Sequence, residues 1–352
     1  MGRRRVAQLL LASLLAGGAL VSAPLRALAG ERPPGRLLAQ ATPTQPAQPR
    51  VTAPGAVRLY VPFNAGGESD ASARNFQKSA LRSLEGRGLE IIYLTAEFGG
   101  AAGRTVQEAP PDGGTLLLAR VASLAVLPAI SPRTTPAWSD LTVLGVLDQA
   151  PLICFVRAGS PFRTVRDLQA AMAAQPGRLR FSVAGPNTVQ AIAVRYLLSL
   201  SGLPADAARP VHFNQGTQLT QAVLNGEADF ACNTPRSVLP LVEAGQLRPL
   251  LTTAQGRLKA LPRLQNAAEL GLRDMQNLQA WSALLGPPGM PPATVARWRG
   301  ILEQVAADAE WVIATEALGA APRIRAIPDP AQFLRQQAHF YERLVTLLGL
   351  QQ

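Results

Sequence analysis

From residue 57 onward, short apolar runs alternate with longer stretches whose apolar positions recur at helical spacing. The runs 57–63, 89–95, 115–121, 179–184, 210–213, 228–231 and 247–252 are short and rich in branched or aromatic residues, which predicts strands. Between them, 164–174 predicts a helix opened by Thr164 and Asp167 at capping-box spacing, and 187–201 carries an apolar stripe through Ile192, Tyr196 and Leu197. The tail, 293–318 and 330–350, also reads as helix. Such alternation predicts an α/β chain with parallel sheets. The apolar run 141–156 is long enough to pass from one sheet-bearing lobe to another. The roughly 300 residues of this part exceed what one core usually serves, so two lobes are expected.

The pattern before residue 57 is different. Arg3, Arg4 and Arg5 precede an apolar run through Val21, and Ala27-Leu28-Ala29 supplies a small-x-small site before Gly30. This is the form of an export signal cleaved after Ala29, which places the mature protein in the periplasm. The run is broken by Gly17 and Gly18 and is short of the roughly 20 residues of a membrane span. The paired arginines leave the twin-arginine route open, and the lack of a nearby Cys argues against a lipid anchor. Residues 30–55, rich in Pro, Gln, Thr and Ala, predict a disordered leader.

The sequence carries 34 Lys and Arg against 23 Asp and Glu, a formal charge of +11, but Arg3, Arg4, Arg5 and Arg26 belong to the signal. There is no basic run beyond it and no aromatic platform beside one, so nucleic acid is not an expected partner. A diffuse positive field suits anionic small molecules. The only histidines, His212 and His339, and the absence of CxxC or HExxH spacing leave no material for a metal site, and no cofactor is expected. No Gly-x-Ser-x-Gly elbow accompanies them, so an enzyme is not expected either. Cys154 and Cys232 have the option of pairing in an oxidising compartment; two buried, unpaired thiols are the expectation.

The candidate chemistry lies at two strand-to-helix joints. In the first, Phe63, Asn64, Ala65, Gly66 and Gly67 lead to Ser69 and Asp70, either of which is placed to cap the following helix. Glycines and a helix start offer backbone N–H groups to a carboxylate or phosphate, although the same residues also make a turn that binds nothing. In the second, Val183, Ala184 and Gly185 lead to Asn187 and Thr188. Two such loops, one per lobe, would face one another across a cleft.

The run 61–74, together with Ala109-Pro-Pro-Asp-Gly-Gly-Thr115, Val211-His-Phe-Asn-Gln-Gly-Thr217, Asn225-Gly-Glu-Ala-Asp-Phe230 and Trp281-Ser-Ala-Leu-Leu-Gly-Pro-Pro-Gly289, resembles the Bug family of periplasmic solute receptors for tripartite tricarboxylate transporters. The resemblance runs from about residue 57 to the end. It implies a type II periplasmic binding protein fold: two α/β lobes joined by crossing strands, with lobe 1 from 56–152 and 254–352 and lobe 2 from 153–253. It also implies that Gly66, Gly67, Ser69 and Asp70 occupy the family's first ligand loop, and Val183 to Thr188 its second.

The departures are Ala191, where many members carry His, Asn187 in a usual glycine place, and Asn214-Gln215-Gly216 for a Tyr-Lys-Gly turn. Glu68 is expected to face solvent, since turned inward it would repel a carboxylate. Arg120, near Ser123 at a strand end, is a candidate bidentate partner for a ligand carboxylate or else a solvated arginine. Asn214, Gln215, Gly216, Cys232, Asn233 and Thr234 are candidates to line the cleft or serve turns and strand ends. The function this implies is a monomeric exported receptor that closes on a mono-, di- or tricarboxylate and presents it to integral membrane transporter subunits. Signalling to a membrane sensor kinase is the alternative, and a secreted enzyme the reading from another class.

Overall fold

In the computed structural model, residues 55–132, 138–185, 188–213 and 216–351 are described. They lie within one compact unit, Pro49–Gln352. The expected signal and all of the expected leader but Gly55 fall outside the described residues, as do Asn187, Asn214 and Gln215.

The first sheet has the order β11-β4-β10-β3-β1-β2. Its strands are β1 Val57–Val61, β2 Leu89–Tyr93, β3 Thr115–Arg120, β4 Thr142–Pro151, β10 Gln279–Gly286 and β11 Ala321–Pro322. The second has the order β7-β6-β8-β5-β9, from β5 Ile153–Arg157, β6 Leu179–Val183, β7 Ala208–His212, β8 Phe230–Asn233 and β9 Leu247–Thr252. Helices α1 Glu68–Ala80, α2 Gly100–Gln107, α3 Leu127–Ile130, α8 Pro292–Ala307, α9 Ala309–Ala317 and α10 Pro330–Leu347 accompany the first sheet. Helices α4 Val165–Ala174, α5 Val189–Leu200, α6 Gly216–Leu224 and α7 Pro235–Glu243 accompany the second. Among the described residues no helix is long and apolar enough to cross a membrane.

The sheets are mixed, which corrects the expectation of parallel ones. β1 runs parallel to β2 and β3, and β6 parallel to β7 and β8, as helical crossovers require. β10 is antiparallel to β3 and β4, and β5 to β8 and β9. The cause is the path of the chain: β5 enters the second sheet straight from β4, and β10 re-enters the first after β9, so neither is fed by a crossover helix. Strand β10 was not among the expected strands, yet it fills the middle of the first sheet, with Trp281 fully buried. The strand expected at 228–231 lies two residues later, because the Ala228 N–H closes the end of α6 on the Ala222 carbonyl.

The Thr164–Asp167 capping box opens α4 with both reciprocal bonds in place. The helix expected over 293–318 is divided at Asp308, whose side chain accepts the Glu310 N–H and caps α9.

The two sheets meet where the chain crosses. The Leu152 N–H, between β4 and β5, donates to Thr253 Oγ1 at 2.8 Å, and that hydroxyl donates to the Leu278 carbonyl at 2.8 Å. The Thr252 hydroxyl caps the Leu152 carbonyl at 2.9 Å. Both threonines are fully buried, so every polar atom of this crossing must be paired inside the protein. Cys154 and Cys232 sit directly opposite in the β5–β8 register and form a disulfide, which overturns the expectation of free thiols. The register brings together two side chains that 78 residues of sequence separate.

Candidate functional site

The first joint is fixed by Asp70 rather than capped by it. The cap position of α1 falls to Gly67, which leaves Ser69 and Asp70 inside the first turn. From there the Asp70 carboxylate reaches back to accept the Gly66 N–H at 2.8 Å, while Gly66 takes a left-handed φ of +85° that glycine adopts without cost. Arg74 Nε donates to the same carboxylate at 2.7 Å, and the Tyr93 hydroxyl from β2 donates as well. Burial alone would raise this carboxyl, but the Tyr93, Gly66 and Arg74 donors together hold it below its ordinary value. The open end of α1 is thereby held against a cavity of about 170 Å³, the scale of a single small organic solute.

The opposite wall comes from the second sheet. Thr188 caps α5, accepting the Ala191 N–H at 3.3 Å and donating to the Gly185 carbonyl at 3.1 Å. Ala184, Thr188, Val189 and Gln190 line the cavity, and Gly216 and Thr217 at the start of α6 complete that side. Three helix N-termini therefore converge on one space, each presenting N–H groups without intrahelical partners and a partial positive charge.

Arg120, at the end of β3, lies on the cavity floor with its side chain only 12% exposed. Its Nη1 donates to Ser282 Oγ at 2.7 Å and stands 3.8 Å from Asp148 Oδ1; its Nη2 is 3.5 Å from Glu68 Oε2. Asp148 also accepts the hydroxyls of Ser72 at 2.8 Å and Ser282 at 2.9 Å. Glu68 therefore turns inward, which corrects the expectation that it faces solvent: the Arg120 charge is the local partner that draws it. Its other oxygen accepts the Thr234 hydroxyl from the second sheet. Burial pushes the Glu68 carboxyl up, against the attraction of Arg120 and Arg236.

Of the residues expected at the site, Phe63, Asn64, Ala65, Gly67, Ser69, Arg120, Thr188 and Gly216 line the cavity. Others stand behind its wall. Gly66 and Asp70 are engaged with each other; Ser123 Oγ bonds back to the Arg120 backbone; Val183 is buried in β6; and Gly185 receives Thr188. Asn233, fully buried, donates to the Gly216 carbonyl at 2.8 Å and accepts Gln190 Nε2 at 3.3 Å, tying α5 to α6. Asn187 and Asn214 lie outside the described residues. Glu68, Val121, Ala122, Val189, Gln190, Thr217 and Ala280 line the cavity without having been expected there. Gln190 and Thr217 were within reach of sequence reading, as first-turn residues of helices that follow the expected loops.

A sequence model described as the tripartite tricarboxylate transporter family receptor matches residues 91–350. The chain belongs to this receptor family. A UPF0065 protein of Bordetella pertussis is 25% identical over 297 residues, covering 84% of this chain and 90% of that protein. Two solved structures share the fold of this family member. MatC from Rhodopseudomonas palustris with bound malate aligns with a TM-score of 0.73 at 23% identity, over 82% of this chain and 98% of that one. A second R. palustris protein, solved with adipate, aligns with a TM-score of 0.74 at 21% identity, over 84% and 97%.

Proposed function

We propose that this protein is an exported, periplasmic receptor that captures a small carboxylate between its two lobes and, once closed, presents it to a membrane transporter. The observation that carries the reading is the convergence of α1, α5 and α6 N-termini, from both sheets, on one cavity. A carboxylate placed there exchanges water for several aligned N–H donors and two or three helix dipoles, and needs no dedicated cation. Phe63 to Gly67 with Ser69 serve one side of the ligand, and Thr188 to Gln190 with Gly216 and Thr217 the other. The ligands named for the family's solved relatives, malate and adipate, accord with such a site. Because the walls belong to different sheets, a ligand that touches both favours the closed arrangement by its differential affinity for it.

Native mass spectrometry of the mature protein from Gly30 to Gln352, purified without refolding, followed by thermal shift against mono-, di- and tricarboxylates, tests the reading. A retained small acid, or a melting temperature that climbs with the logarithm of ligand concentration, is the expected result. No retained acid and no shift with any carboxylate would sink it.

A further inference from the structure

Glu68 and Arg120 are the charged side chains among the described residues that line the cavity. They are not independent. Arg120 faces Glu68 on one side and Asp148 on the other, with Ser282 taking its Nη1, so its charge is already answered by two carboxylates. Glu68 in turn places a carboxylate at the open end of α1, between the helix and the cavity. The other cation near it, Arg236, is exposed and lines a narrow cleft behind the cavity rather than the cavity itself. Around this cluster the walls are largely apolar: Phe63, Val121, Ala122, Val189 and Ala280. A first carboxylate finds its N–H donors at α5 and α6. A second carboxylate reaching across toward β3 meets an arginine that is already paired and the like charge of Glu68.

From this arrangement, and resting on the receptor reading above, we infer that Glu68 is a specificity-determining residue that restricts the cleft to solutes bearing a single carboxylate and an uncharged, largely apolar remainder. It acts by rejection as much as by fit: it occupies Arg120 and repels a further anion. The substrate class is thus short-chain monocarboxylates rather than the di- and tricarboxylates that the family description would suggest.

The test is calorimetric titration of the mature protein with chain-matched pairs, butyrate against succinate and hexanoate against adipate, repeated on Glu68→Gln and Thr234→Val. In the parent protein the monocarboxylate of a pair is expected to bind at least about tenfold tighter, a bound well below the repulsion of two like charges in direct contact near a protein surface. Glu68→Gln removes that charge and releases Arg120, so the ratio is expected to fall to about one or invert. Thr234→Val breaks the hydrogen bond to Glu68 but keeps the charge; it is expected to change both affinities together and leave the ratio standing, which separates specificity from a merely structural role. Dicarboxylates that bind the parent as tightly as their monocarboxylate partners, or a ratio that Glu68→Gln does not move, would overturn the inference and leave the receptor reading intact. No binding of either class would overturn both.

Discussion

Asp70 gathers three donors on one carboxylate, from a loop glycine, an arginine one turn along its own helix and a tyrosine on β2. Arg74 is exposed and its ion pair adds little, so the Gly66 and Tyr93 bonds carry the effect. Asp70→Asn is expected to cost about 2 kcal/mol at neutral pH, the scale of hydrogen bonds to a charged group. Because the folded carboxyl titrates below its ordinary value, that contribution is complete above about pH 4 and is lost as the pH falls toward the folded value. Denaturant titrations of parent and variant should therefore converge in acid; a gap that stays constant down to about pH 2.5, below the ordinary carboxylate range, would show that the charge is not what matters. Glu68, two residues earlier, has the opposite environment, since burial raises its carboxyl. The same helix turn thus holds one carboxylate as a fastener and another as a cavity wall.

At the scale of elements, the strands feeding helices were legible because each is a local signal: an apolar run, a glycine or capping residue, a helical stripe. The capping box at Thr164 and Asp167 is the clearest case. What was not legible depends on partners distant in sequence. β10 is an apolar run like the others, but its place between β3 and β4 follows from the second crossing, which no local pattern encodes. The inward turn of Glu68 depends on Arg120, 52 residues later, and the pairing of Cys154 with Cys232 depends on the β5–β8 register. That disulfide closes a separation of 78 residues, for which chain entropy alone would give about 4.5 kcal/mol, while native disulfides typically yield about 2–4 kcal/mol. Replacing both cysteines by alanine is expected to lower the stability read from guanidinium unfolding by that amount. An unchanged midpoint would mean that the two thiols act only as small hydrophobes in the strand pair.

At the scale of the whole molecule, the proposed closure requires the two sheets to meet without a wedge between them, and one contact tests it directly. Gly319, in the turn between α9 and β11, lies against the start of α7 on the other sheet: a Cβ there would stand 2.5 Å from Pro235 Cβ and 3.0 Å from the Arg236 nitrogen. Its φ of +69° also strains any alanine. Gly202 has nearly the same φ, +67°, with nothing within 4 Å of a built Cβ, so Gly202→Ala carries the strain without the collision. Both variants are expected to lose about 1 kcal/mol of stability from the left-handed backbone. Only Gly319→Ala is expected to push the sheets apart as well, seen as a larger radius of gyration in solution scattering with ligand present and an affinity weakened about tenfold, since walls held apart no longer share one ligand. If the two variants weaken binding equally, the contact at Gly319 is packing and has no part in closure. If Gly319→Ala alone weakens it, the contact between the α9–β11 turn and the start of α7 is where the closed state is decided.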